Sequence, residues 1–221
     1  FDGDGDVISS NLSIDLKVKT LCAWVKLYDL DQGGGGVVSV QIPPYNNSTF
    51  DSVVYNERGA GWRFGSDYGS RSSDANQPEN SSDWIFVCAT YKNNSFIFYR
   101  NGKQLFEDKS YKVFNFENPQ LIIGQRHGVP AENYPGQRQY LDGYIDDVRI
   151  YNRALSEAEV AALYAAESSK AFKSGAEVTI LASPEDGWEF SHWSGGVSGT
   201  ENPAKLTLNS DGEIVANFVE I

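Results

Sequence analysis

The chain has 221 residues, a formal net charge of −12, 40% hydrophobic and 22% charged residues, and 5 Trp, 12 Tyr and 12 Phe. So many aromatic side chains can fill a core, which excludes wholesale disorder. The acidic balance and the lack of a basic stripe exclude duplex nucleic acid as a partner. No apolar run nears the roughly 20 residues of a membrane span, so membrane insertion is not expected.

There is no Met and no signal peptide, and a chain opening on Phe1 reads as an excised or processed fragment. Asp2, Asp4 and Asp6 begin with the spacing of an EF-hand loop, but Val7 stands where that loop needs Gly and Ser13 where it needs Glu. They read as a polar turn leading into a strand. SIDLKVK, LCAWVKLY, GVVSVQI and TFDSVVYN follow as strand signals, and the glycine run before GVVSVQI leads into a strand rather than a phosphate-cradling helix. DWIFVCATY is continuously apolar, as a central strand covered on both faces would be. In FIFYRNGKQLFE, Asn101-Gly102 predicts a type I′ hairpin turn. PQLIIGQ and GYIDDVRIYN complete a set of at least eight strands without helical period. The fold class is therefore all-β, an antiparallel β-sandwich or jelly roll.

One helix is expected over about 156–165, with Ser156 as N-cap and Glu159 completing a capping box. After a connector, AEVTILA, GWEFSHW, AKLTLN and EIVANFVE predict a small β unit forming its own antiparallel sheet. The predicted domains are 1–168, a linker at 169–172, and 173–221. Trp24, Trp84 and Phe86 read as packing residues of the large unit, and Trp188 and Trp193 as the core of the small one. Cys22 and Cys88 each lie in an apolar run. Two readings stand: two buried thiols acting as small hydrophobes, or one cross-strand disulfide.

FDGDGDVI, CAWVKL, WIFVCATY, FYRNGK, LIIG and DGYIDDVRIYNRALSEAEV resemble, in order over residues 1–164, LamG-like modules of the concanavalin A-like lectin/glucanase superfamily. Residues 173–221 resemble a bacterial divergent internalin B-type repeat. The resemblance implies two face-to-face antiparallel sheets and secreted or cell-surface use in bacteria. It also implies one structural Ca2+ near the terminal strands, for which Asp2 and Asp146 are the motif positions.

The retaining glucanases of that superfamily carry paired acids on one strand face, about 5 Å apart. No such spacing occurs here, and adjacent Asp146 and Asp147 would point to opposite faces. Two segments combine aromatics with planar hydrogen-bonding groups. The first offers Tyr55, Arg58, Trp62 and Arg63, and the second Arg126, His127, Tyr134 and Arg138. Gathered arginines suit sulfate or carboxylate groups. The plainer alternative is that the aromatics pack and the arginines are paired or solvated. The sequence thus predicts a non-catalytic carbohydrate-binding module for an acidic or sulfated polysaccharide. Its partners would be that polysaccharide and the catalytic or surface domains of a larger secreted, polysaccharide-degrading parent. The alternative is an adhesion or scaffold segment with no sugar site.

Overall fold

Successive side chains point to opposite faces of each strand, and the apolar faces pack together as two layers. The structure, a computed structural model, describes residues 1–42, 50–57, 61–65, 78–92, 94–109, 114–126, 140–168, 176–208 and 214–221. It divides into two units, Phe1–Ala165 and Ala166–Ile221. In the first, one sheet runs in the order β1 (Ile8–Asn11), β9 (Gln120–Ile123), β3 (Gly35–Gln41), β4 (Phe50–Tyr55) and β5 (Trp62–Phe64). The other runs β10 (Gly143–Tyr151), β2 (Lys19–Leu27), β6 (Ile85–Lys92), β7 (Ser95–Arg100) and β8 (Lys103–Asp108). Every pairing is antiparallel.

Leu21, Ala23, Val25 and Leu27 send one face of β2 into the sandwich, against Val38, Val40 and Val53 of the facing sheet. Burying each of these Leu and Val side chains contributes about 1.5–3 kcal/mol. β6 sits between β2 and β7 and is covered on both faces, as its apolar run predicts. Cys22 and Cys88 are register partners on β2 and β6, and they are joined as a disulfide, so the buried-thiol reading gives way. The hairpin turns at Asn101-Gly102, with φ of 49° and 75°, and Asn101 docks the turn onto the Phe86 backbone through both its amide and its side chain.

The helix α1 (Glu157–Ser168) starts where the capping box predicts. The Glu159 amide donates to Ser156 Oγ at 3.3 Å, and the Ser156 amide donates to Glu159 Oε2 at 2.8 Å. Val160, Leu163 and Tyr164 of α1 pack on the outer face of the second sheet, over Cys22, Trp24, Phe86 and Cys88.

The second unit departs from the expected single sheet. It forms two ribbons, β11 (Ala176–Ile180) with β13 (Ala204–Leu208) and β12 (Trp188–Gly195) with β14 (Ile214–Glu220). A single layer would leave one apolar face bare, whereas side chains of both ribbons, including Ile180, Ala204, Phe190 and Ala216, gather around buried Trp193. Trp193 is core as predicted, but Trp188 is 47% exposed.

Candidate functional site

The residues expected to bind sugar divide into three groups. Arg58, His127, Tyr134 and Arg138 lie outside the described residues. Tyr55 and Trp62 are cross-strand partners on β4 and β5, with ring centroids 5.0 Å apart, and neither has any exposed surface. Trp62 Nε1 donates to Glu79 Oε1 at 2.6 Å, and the Glu79 amide donates to the Tyr55 hydroxyl at 3.1 Å. Arg100 Nε reaches the same carboxylate at 2.7 Å. Burial, more than the nearby charge of Glu79, raises the Tyr55 phenol above its ordinary value. These two rings have no free face in this conformation, because a pleated sheet buried on both sides leaves them only protein to stack against.

Arg63 is half-buried on β5. Arg126 is almost wholly buried and forms an ion pair with equally buried Glu57. The roots of the two arginine-bearing segments therefore meet, but through a closed contact. The glycine run predicted to serve a strand explains the fit. A Cβ at Gly36 would overlap the Arg126 amide, so only glycine lets that backbone lie so close to β3. Ser39 Oγ then donates to the Arg126 carbonyl. An Arg occupied by a buried carboxylate does not offer its fork to a sulfate.

The two expected calcium ligands do not meet. Asp2 bridges Asp142, and Asp146 lies four residues further along, opposite Trp24. At about 3.3 Å per residue of strand, that separation is too great for one ion. Among the described residues no group of three or more His, Cys, Asp or Glu is placed to hold a metal. The neighbouring acids Asp146 and Asp147 sit at a β-bulge, where Asp147 takes a φ of 49° and pairs with Arg149 at 2.5 Å.

The exposed aromatics are elsewhere. Cys22, Trp24, Lys26 and Tyr28 share the outer face along β2, opposite the core residues. α1 covers the Cys22–Trp24 end. Beyond it, Tyr144 stands beside Lys26 as its partner on β10, and Trp84 lies on the other side, just ahead of Ile85. Tyr28, Tyr144 and Trp84 are 53%, 49% and 42% exposed. Tyr144 lies 4.9 Å from Tyr28 and 6.3 Å from Trp84, centroid to centroid. The hydrogen bond that the Tyr28 hydroxyl donates to Tyr144 is the main cause raising the Tyr28 phenol, followed by desolvation. The result is an aromatic ledge with one half-buried cation, Lys26, between its rings. Trp84 is thus not the packing residue its strand suggested. The signal was the alternation Trp24, Lys26, Tyr28 in AWVKLY, which gives β2 a second apolar-rich face. A separate hollow of about 530 Å³ in the second unit is lined by Trp188, Phe218, Glu185 and Asn217, among others.

Residues 1–161 match the family model described as concanavalin A-like lectin/glucanases superfamily, and residues 158–221 that of the divergent InlB B-repeat domain. No curated protein sequence matches the chain. Among solved structures, the native heptameric SAP-like pentraxin from Limulus polyphemus superposes with a TM-score of 0.56 at 14% identity, covering 72% of this chain and 75% of the pentraxin chain. Domain 4 of an extracellular arabinanase from Geobacillus stearothermophilus, solved with arabinotriose, gives 0.53 at 16% identity over 74% of this chain and 84% of its own. The binding domain of botulinum neurotoxin serotype G gives 0.52 at 15% identity over 87% and 46%. At these identities the likeness is one of fold: a lectin-like jelly roll, compatible with a non-catalytic domain. No helix among the described residues is long and apolar enough to cross a membrane.

Proposed function

We propose that this chain, which belongs to the concanavalin A-like lectin/glucanases superfamily through residues 1–161, is a non-catalytic carbohydrate-binding module whose ligand lies across Tyr28, Tyr144 and Trp84. One observation carries this reading: three exposed aromatic side chains stand together on a sheet face, next to the part of it that a helix covers. Aromatic faces bury the apolar face of a sugar ring, and rigid strands hold them at little entropic cost. The arabinanase domain of the same fold, solved with arabinotriose, is in keeping with it.

The finer target is an acidic or sulfated polysaccharide. In a chain of net charge −12, Lys26 among the rings supplies a local cation for a carboxylate or sulfate. Attachment to a larger secreted polysaccharide-degrading enzyme completes the proposal. There the module would raise the local concentration of substrate for its parent's catalytic domains.

Affinity electrophoresis through gels of neutral, carboxylated and sulfated polysaccharide tests this. Tyr144→Ala and Trp84→Ala are expected to weaken binding about ten-fold each, a loss near 1.4 kcal/mol. Retardation by anionic polymers should fall as the Debye length shrinks from about 10 Å at 0.1 M salt to about 3 Å at 1 M, and Lys26→Ala should flatten that dependence. Unchanged binding by the aromatic variants would move the site off the ledge. The second reading, a cell-surface adhesion or scaffold segment, is favoured by the repeat matched over residues 158–221. It predicts no retardation in any gel.

A further inference from the structure

The interior of the sandwich holds a buried charged pair that sugar binding does not use. Lys19 begins β2 in one sheet, and Asp51 lies on β4 in the other. Both side chains are 0% exposed, and Lys19 Nζ lies 2.6 Å from Asp51 Oδ2. Despite that distance, Nζ does not make an aligned hydrogen bond. The nitrogen sits among aromatic rings, 4.7 Å from the centroid of Tyr91 and 4.6 Å from that of Phe116. Tyr91 is also the cross-strand partner of Lys19.

The two opposite charges are shut off from water on every side. A proton passing from the ammonium to the carboxylate leaves a neutral amine against a neutral carboxylic acid. Those are the two reactants of amide formation, held at contact distance by two rigid sheets. Near-attack placement of reacting atoms at about 3–3.5 Å gives intramolecular reactions effective concentrations of about 10⁵–10⁸ M. The neighbouring Tyr91 phenol is fully buried, and burial followed by the charge of Asp51 pushes it well above its ordinary value, so it stays protonated.

We propose that Lys19 and Asp51 form an intramolecular isopeptide bond that ties the two sheets of the sandwich together. The step balances without a co-reactant. One proton moves from Lys19 Nζ to an Asp51 carboxylate oxygen. The amine lone pair bonds to Cγ, the Cγ–OH bond breaks, and the hydroxyl leaves with a second proton from nitrogen as one water. One C–N bond forms, one C–O bond breaks, and nothing is oxidised or reduced. The tie is distinct from Cys22–Cys88, which joins neighbouring strands within one sheet.

Intact-mass spectrometry of the folded, purified chain, unfolded and reduced just before injection, reads the bond directly. The expected mass is that of the sequence less one water. Fragmentation should place the loss in a branched species that joins the peptide of Lys19 to the peptide of Asp51. Lys19→Arg and Asp51→Ala should show their full masses, and Asp51→Asn should lose one ammonia instead. A full mass for the parent chain would overturn the proposal. So would a loss of water that persists in Lys19→Arg, since it would then arise elsewhere.

Discussion

Arg126 shows how a residue of functional type becomes a structural one. Planar, charged and set in an arginine-bearing segment, it has the chemistry of an anion ligand. In the fold it is buried against Glu57, and its backbone packs on Gly36. Removing one partner of such a pair strands the other charge in a dry site. Arg126→Ala is therefore expected to destabilise the module by about 3–5 kcal/mol, read in urea unfolding, rather than to tune a salt dependence. Replacing Arg126 and Glu57 together by apolar residues of similar volume should recover most of that loss. Lys26 is the opposite case, an unremarkable lysine in the sequence that stands among three exposed rings in the fold.

α1 decides more than its own length suggests. Its start is fixed locally: Ser156 and Glu159 satisfy each other's amides, and Arg153 pairs with Glu159 at 2.7 Å. Ser156→Ala should cost about 1 kcal/mol. The Ser156 amide, then Arg153 and the Ser156 hydroxyl, hold the Glu159 carboxyl down at about 2, against an ordinary value of 4.5. A folded-state value below the unfolded one means that the native state favours the ionised form. Its stabilisation is then full above pH 4.5 and disappears as the pH falls toward 2. Melting temperature followed from pH 6 to pH 2 should drop less steeply in Glu159→Gln than in the parent. The β2–β6 pair carries a second element-scale effect. Cys22–Cys88 closes a loop of 66 residues, and in the chain-entropy account its loss removes about 4 kcal/mol of stability. Urea unfolding of the Cys22→Ala/Cys88→Ala chain checks that figure.

For the molecule as a whole, the charge of −12 invites a cation, yet the register sets Asp2 against Asp142 rather than Asp146. Whether a cation binds at other residues is read from the melting temperature in excess chelator. A lowered melting temperature would mean that carboxylates other than the pair Asp2 and Asp146 hold an ion, since a ligand of the native state stabilises it by mass action.

The local features were legible in the sequence because each is settled within a few residues. Asn-Gly dictates its hairpin, the Ser-x-x-Glu box dictates its helix start, and alternation marks most strands, although SIDLKVK alternates and yields only an isolated bridge from Leu16 to Phe116 before β2 begins at Lys19. The motif order was enough for the superfamily. Which aromatics face water was not legible, because both faces of β2 are apolar-rich and alternation does not say which rings will be covered. Only α1, more than a hundred residues later, decides that Trp24 is sheltered while Tyr28, Trp84 and Tyr144 are left bare. Pairings such as Arg126 with Glu57 and Lys19 with Asp51 likewise join residues far apart in the chain. Nothing near either partner announces the other, and only the packing of one strand or sheet on the next brings them together.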